Sequence, residues 1–239
     1  MLPRMNDDQV SKPRLWILPW GLYPPRITIY LAEKGISDRF DIMPVGINPT
    51  GMEEVEGKPP GTLPILELQR PSKNEPGRYI FQSSAILEYL EDKYGPQGPD
   101  MRGSTPEARA RMRECLDVAN EICTWVVLHV QNGFTLYEAM RPQSKEAAKE
   151  GLERMHKALS LLERLADPES VFLLGDAPTI VDCVLMATIR FTSNVYKIDI
   201  VEGHSRLKNV VEAFEKRGTA EMPQIPEAMR EMGITMHVK

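Results

Sequence analysis

Apolar and polar positions follow two different periods along this 239-residue chain. Up to about residue 95, short apolar runs alternate with helix-like stretches; beyond residue 105 every periodic stretch is helical. Residues 15–18 (LWIL), closed by Pro19, predict a buried strand, and 40–45 alternates as a second. Between them, 26–35 (RITIYLAEKG) follows Pro24-Pro25 and ends on glycine, the framing of a helix. Its inward stripe is Ile27, Tyr30, Leu31 and Lys34, of which the first three are apolar. Residues 48–61, rich in Gly, Pro and Glu, predict a loop with at most a short helix. Strands over 63–68 and 78–81 follow, joined by a polar turn, and then an amphipathic helix over 83–94 stopped by Gly95-Pro96. The helix-linked strands should pair in parallel and the last two as a hairpin. After a Gly/Pro-rich linker come long periodic stretches from 106 to about 140 and over 143–166. A far more apolar helix over 180–195 should be central to its bundle, and a shorter amphipathic one covers 206–217. The expected division is a mobile arm (1–13), a sheet-and-helix domain (14–95), a linker (96–105), an all-helical domain (106–230) and a tail (231–239).

Composition narrows the function. Asp and Glu exceed Lys and Arg by 34 to 29, a net charge of −5, so no basic face is expected for nucleic acid. No apolar run approaches the roughly 18 residues of a membrane span and the N-terminus has no apolar signal core, so no membrane partner and a soluble, cytoplasmic protein are expected. Cys115, Cys123 and Cys183 are widely spaced without a CxxC, and the four histidines fall in no HExxH or HxH arrangement, so no metal site is expected.

Three segments carry candidate chemistry. Pro64 opens a strand, where a proline sits only at an entrance or edge. It either ends a loop as an ordinary trans proline or, as a cis bond, turns the Leu63 backbone out to pair with an extended peptide. Gln82-Ser83-Ser84 begins a helix. That is either a plain cap or a carboxylate site made by the Ser83 hydroxyl and local N–H groups, with the Gln82 amide suited to an amino-acid head group. Thr179 and Asp182 have capping-box spacing and are read as structural, nucleating the apolar helix.

These features coincide with a family. PPRITIYLAEKGI, PGTLPILEL, FQSSAILEYLEDKYG and GDAPTIVDCVL, in that order, make the chain resemble a cytosolic glutathione S-transferase from about residue 14 to 230. The resemblance implies an α/β thioredoxin-like N-terminal domain followed by an all-α C-terminal helical bundle. It implies that the Leu63–Pro64 bond is cis, that Leu63 pairs with the cysteinyl backbone of glutathione, that Gln82 and Ser83 bind the γ-glutamyl head group, and that Lys58 supplies charge toward the glycine carboxylate. It implies a homodimer, and a second, electrophilic hydrophobic small molecule bound along the first helix of the helical domain, with Trp20, Trp125 and His129 as pocket candidates. The chain departs from the family where the active residue should stand. The Ser/Cys slot is Gly21 and the Tyr slot is Ile17. Tyr23, where one fungal and bacterial subgroup places an asparagine, is the candidate catalytic group, either donating a hydrogen bond to the glutathione sulfur or walling the pocket. Backbone N–H groups near Tyr23 and Arg26 are the third possibility. The expected reaction is addition of the glutathione thiolate to an electrophile. The alternatives are glutathione-dependent isomerisation or reductive elimination, and a non-catalytic binding protein of the same fold.

Overall fold

The computed structural model describes residues 12–48, 51–72, 75–138, 140–223 and 225–226. The expected arm falls outside these residues except for Lys12 and Pro13, and the expected tail lies wholly outside them. A four-stranded sheet has the order β2-β1-β5-β6, formed by β1 (Arg14–Ile17), β2 (Asp41–Pro44), β5 (Ile65–Gln69) and β6 (Arg78–Phe81). β1 runs parallel to β2 and antiparallel to β5, and β5 and β6 form the hairpin. Leu15 and Trp16 are wholly buried, because β1 is interior and both of its faces are covered.

Helix α1 (Pro24–Lys34) begins two residues before the expected start, with Pro24 and Pro25 inside its first turn. Their fixed φ and missing N–H cost nothing at that position. Gly35 closes the helix at φ 71°, a left-handed conformation that glycine adopts without penalty. The Lys34 ammonium is buried on the carboxylate of Glu91, at 2.9 Å, and the Tyr30 hydroxyl donates to the same group. Glu91 lies on α2 (Ser83–Tyr94), so this buried pair clamps α1 to α2. The loop expected over 48–61 contains instead a small two-stranded ribbon, β3 (Ile47–Asn48) with β4 (Gly51–Met52). Gly51 takes φ 130°, which a side chain would resist at so tight a reversal.

The helical part comprises α3 (Pro106–Gly133), α4 (Lys145–Leu165), α5 (Ile180–Phe191) and α6 (Ser205–Glu215). α3 stops before residue 140 because Phe134 turns extended and buries its ring edge-on against Tyr196 and His129. Every residue of α5 except Arg190 is buried, which places that helix at the centre. The capping box at its start is complete. Asp182 accepts from the N–H groups of Leu173 and Thr179 and from the Thr179 hydroxyl. Past Phe191 the helix widens into a π-helical turn, Thr192–Tyr196, where the Thr192 hydroxyl takes the Ile189 carbonyl. α1 packs on α5, so the two parts share one apolar core. Among the described residues no helix is long and apolar enough to cross a membrane.

Candidate functional site

The strand-opening proline, the start of α2 and the start of α1 meet around one cleft of about 400 Å³, although they are separated by some forty and twenty residues of sequence. On one side the Leu63–Pro64 bond is cis, with Thr62 beside it. On another, Ser83 opens α2, where the first N–H groups of a helix have no intrahelical partner and the dipole favours an anion. Gln82 stands just before it at φ 71° and ψ 121°. A non-glycine residue pays for that conformation, and such strain gathers where a side chain must be aimed at a ligand.

Tyr23 forms the wall across from Ser83 and caps α1. Its ring is 40% exposed, so the phenol is open to a ligand. Burial of the rest raises its pKa, the Cys123 sulfur adds to the shift and the Arg26 charge opposes it. The phenol is therefore protonated at neutral pH and available as a donor. Pro24 and Pro25 remove two of the four free N–H groups at this helix end, leaving those of Tyr23 and Arg26.

Beneath the cleft lies a residue whose side chain the sequence reading did not single out. The Arg26 guanidinium is 1% exposed. It donates from Nη1 to Ser83 Oγ at 3.2 Å and to Asn120 Oδ1 at 2.8 Å, and from Nη2 to Cys123 Sγ at 2.6 Å. Among the described residues its Nε finds no acceptor, and none of its hydrogen-bond partners is a carboxylate. The Tyr23 ring covers it at 4.8 Å. A buried cation without a counter-ion is costly unless an anion arrives. Here the charge reaches the mouth of the cleft through the Ser83 hydroxyl. A signal was present in the sequence, since a basic residue in the first turn of a helix opposes the macrodipole, and such local breaches mark functional sites.

Lys58, expected at the glutathione carboxylate, does not line this cleft, and neither do Trp20, Trp125 and His129, the candidates for a second-substrate pocket. The Lys58 ammonium is held on its own loop by the carbonyls of Pro59 and Gly61. Trp20 is buried in the core. Trp125 donates to Glu121 and lies under Arg154 of α4, 4.8 Å from its guanidinium carbon. His129 is buried with Nδ1 2.9 Å from the Ala148 carbonyl of α4, and its Nε2 has no partner among the described residues. The reason is helical period. Asn120 sets the cleft-facing direction of α3, and positions four and seven further on, Thr124 and Val127, share its face, whereas 125 and 129 turn toward α4.

A parallel-antiparallel sheet whose cis-proline edge and helix start face a helical bundle across one cleft defines a thioredoxin-like domain joined to an all-helical one. Residues 20–93 match the family described as "Glutathione S-transferase, N-terminal domain", and residues 145–213 match "Glutathione S-transferase, C-terminal domain". The chain belongs to the glutathione S-transferase family. It is similar to glutathione S-transferase F9 of Arabidopsis thaliana, 29% identical over 171 residues that cover 71% of this chain and 74% of the relative. It is also similar to maleylacetoacetate isomerase of Pseudomonas aeruginosa, 25% identical over 214 residues covering 85% and 94%. Among solved structures, glutathione transferase Omega 3C from Trametes versicolor superposes with a TM-score of 0.68 at 20% identity, covering 92% of this chain and 89% of that one. A glutathione S-transferase from Methylobacterium radiotolerans, in complex with glutathione sulfonate, gives 0.67 at 21% identity over 90% and 97%.

Proposed function

We propose that this protein is a glutathione-dependent enzyme that holds glutathione in the Tyr23–Leu63–Ser83 cleft as a thiolate and adds it to an electrophilic carbon of an apolar small molecule. The observation that carries this is the convergence on one cleft of segments that fit different parts of the tripeptide. The Ser83 hydroxyl and the α2 N-terminus suit the γ-glutamyl carboxylate, with the Arg26 charge behind them. The Gln82 amide suits the amino group, and the Leu63 backbone before cis Pro64 suits the cysteinyl peptide. Lys58 belongs to the loop before the cis bond and neutralises the glycine carboxylate if its ammonium leaves the two carbonyls it now holds.

Tyr23 donates its phenolic proton in a hydrogen bond to the sulfur. A free thiol ionises near pH 8.5, so a shift of about 2 units, roughly 2.7 kcal/mol, makes the thiolate the major form at pH 7. One charge-assisted hydrogen bond together with the two remaining N–H groups of α1 supplies that amount. The sulfur lone pair then forms the C–S bond while the leaving group departs with its electron pair. The active form is a homodimer in the cytoplasm, as the family membership supports.

A second reading, glutathione-dependent isomerisation, is favoured by the similarity to maleylacetoacetate isomerase over 94% of that protein's length. There the thiolate adds to a conjugated double bond and leaves after rotation, so glutathione is regenerated. Assay of the protein with glutathione and either 1-chloro-2,4-dinitrobenzene or a cis-dienoic diketo acid separates the two readings. Chloride release with consumption of glutathione supports transfer, and cis–trans conversion at constant glutathione supports isomerisation. Activity with neither substrate, with glutathione binding retained, sinks both in favour of a binding protein.

A further inference from the structure

His156 of α4 and His204, the residue before α6, meet away from the glutathione cleft and form a chain of hydrogen bonds with Glu163. Glu163 Oε2 lies 3.2 Å from His204 Nδ1, and His204 Nε2 lies 3.3 Å from His156 Nδ1. The two ring planes are 14° apart and the centroids 5.6 Å apart, well beyond the 3.3 Å between the nitrogens. The rings therefore meet edge to edge, as an N–H···N hydrogen bond requires. The other oxygen of Glu163 accepts the Arg206 N–H at 2.8 Å, in the first turn of α6, and this anchors the carboxylate.

The chain of bonds sets where the protons sit. A carboxylate only accepts, so His204 Nδ1 carries a hydrogen. The arrangement that keeps both rings uncharged leaves His204 Nε2 bare and puts the shared hydrogen on His156 Nδ1. His156 Nε2 then keeps its lone pair, and it has no partner among the described residues. His156 lines an open cavity of about 340 Å³ along α4 with Glu153, Lys157, Ser160 and Arg164. Glu153 pairs with Lys149 at 3.9 Å, and the Ser160 hydroxyl donates to the His156 carbonyl. Lys157 and Arg164 are exposed and have no hydrogen-bond or ion-pair partner among the described residues. The free charge at the cavity is positive, which favours a group that becomes negative during reaction. Burial first, then the His204 and His129 charges, lower the His156 pKa against the opposing Glu202 charge, so the lone pair is free at neutral pH.

We propose that His156 is the nucleophile of a second, glutathione-independent catalytic centre that hydrolyses small aryl esters, with His204 and Glu163 as positioning residues. The Nε2 lone pair bonds to the acyl carbon, and the carbonyl electron pair moves to oxygen under the Lys157 and Arg164 charges. Its return expels the phenolate with the C–O electron pair, while the Nδ1 proton passes to His204 Nε2 and leaves a neutral acyl-imidazole. Water then adds to that carbon and gives one proton to solvent. The C–N electron pair returns to Nε2, His204 returns the proton to Nδ1, and the carboxylic acid leaves. An imidazole of lowered basicity is itself expelled from alkyl esters, whose alkoxide is the poorer leaving group, so aryl esters are the substrates. The cavity shares no residue with the glutathione cleft, and the proposal does not depend on that site. The test is hydrolysis of 4-nitrophenyl acetate without glutathione, with the buffer rate subtracted and folding of each variant checked by circular dichroism. The wild type should release many equivalents of 4-nitrophenolate per chain, along a pH profile that rises through a midpoint below about 6.5 and then levels. His156→Gln should lower the rate at least about tenfold. Glu163→Gln should lower kcat at least about threefold with KM little changed, a split that a loss of folded protein does not mimic by shape of the pH profile alone. Release that stops at one equivalent per chain, or a His156→Gln rate within about threefold of the wild type, overturns the proposal. If His156→Gln does not fold, the wild-type profile decides: a rate that rises only above about pH 8 assigns the release to surface amines and overturns it.

Discussion

Replacing Arg26 by methionine should separate the stability of this protein from its affinity for glutathione. The wild-type guanidinium is buried against a hydroxyl, an amide oxygen and a sulfur, with no carboxylate among its hydrogen-bond partners. Removing it relieves a desolvation cost of several kcal/mol, and substituting buried charge by apolar groups of similar volume is often neutral or stabilising by about 1–4 kcal/mol. Against this, Asn120 Oδ1 loses its donor, which costs about 1–3 kcal/mol. Cys123 keeps the Thr188 hydroxyl at 2.9 Å. The terms nearly cancel, so calorimetry should show a melting temperature unchanged or raised by a few degrees, at roughly 2–4 °C per kcal/mol for a chain of this size. Affinity should move the other way. Hydrogen bonds to charged groups contribute about 1.5–3 kcal/mol, so withdrawing the charge behind Ser83 should weaken glutathione binding by roughly 10- to 100-fold in isothermal titration. A melting temperature that falls by about 10 °C or more while the affinity stays intact would make Arg26 a structural strut and refute the reasoning.

Tyr23→Phe should lower kcat/KM for conjugation by about 10- to 100-fold at pH 6.5 with little change in the dissociation constant of glutathione, and the deficit should shrink toward pH 9 as the bound thiol ionises unaided. Full activity at low pH would assign Tyr23 to the pocket wall. Glu91→Gln removes the counter-charge of the wholly buried Lys34 ammonium and leaves it the Gly95 and Pro99 carbonyls. It should cost about 3–5 kcal/mol, or roughly 6–20 °C of melting temperature, and a loss of under about 1 kcal/mol would contradict the clamp between α1 and α2. His156 lies 3.3 Å from His204, which in turn bonds Glu163, and its pKa is lowered by burial first and then by the His204 and His129 charges. Because the folded state resists the proton that the unfolded chain accepts near pH 6.5, stability should be full above that pH and decline as pH falls below it. His156→Gln should flatten the melting temperature between pH 7 and 5; an unchanged slope would remove His156 as its source.

Much of the fold was legible because the hydrophobic period is local. The hairpin of β5 and β6, the helix from Ser83 to Tyr94 and the apolar α5 all follow from pattern and caps. The ends that moved did so through tertiary contact, as when Phe134 left the helix to pack on Tyr196. Two-residue strands such as β3 and β4 are too short to give a period, which is why a loop was expected there. Within the site, Leu63, Pro64, Gln82 and Ser83 were visible because proline, glycine and helix-start chemistry constrain the backbone itself. Trp125 and His129 came from the resemblance, as second-substrate pocket candidates on a helix whose faces the sequence leaves open, and the face is fixed only once Arg26 and Asn120 meet across the two parts of the molecule. The Arg26 side chain escaped notice because its partners lie 57, 94 and 97 positions away in sequence.

The central claim is that the cleft between Tyr23, Leu63 and Ser83 is a glutathione site. Isothermal titration of glutathione into the wild type and Ser83→Ala tests it most directly. The account predicts saturable binding by the wild type and at least tenfold weaker binding by Ser83→Ala, from the loss of a hydrogen bond to a carboxylate worth about 1.5–3 kcal/mol. No heat of binding at millimolar glutathione, or equal affinity in the two proteins, would contradict it.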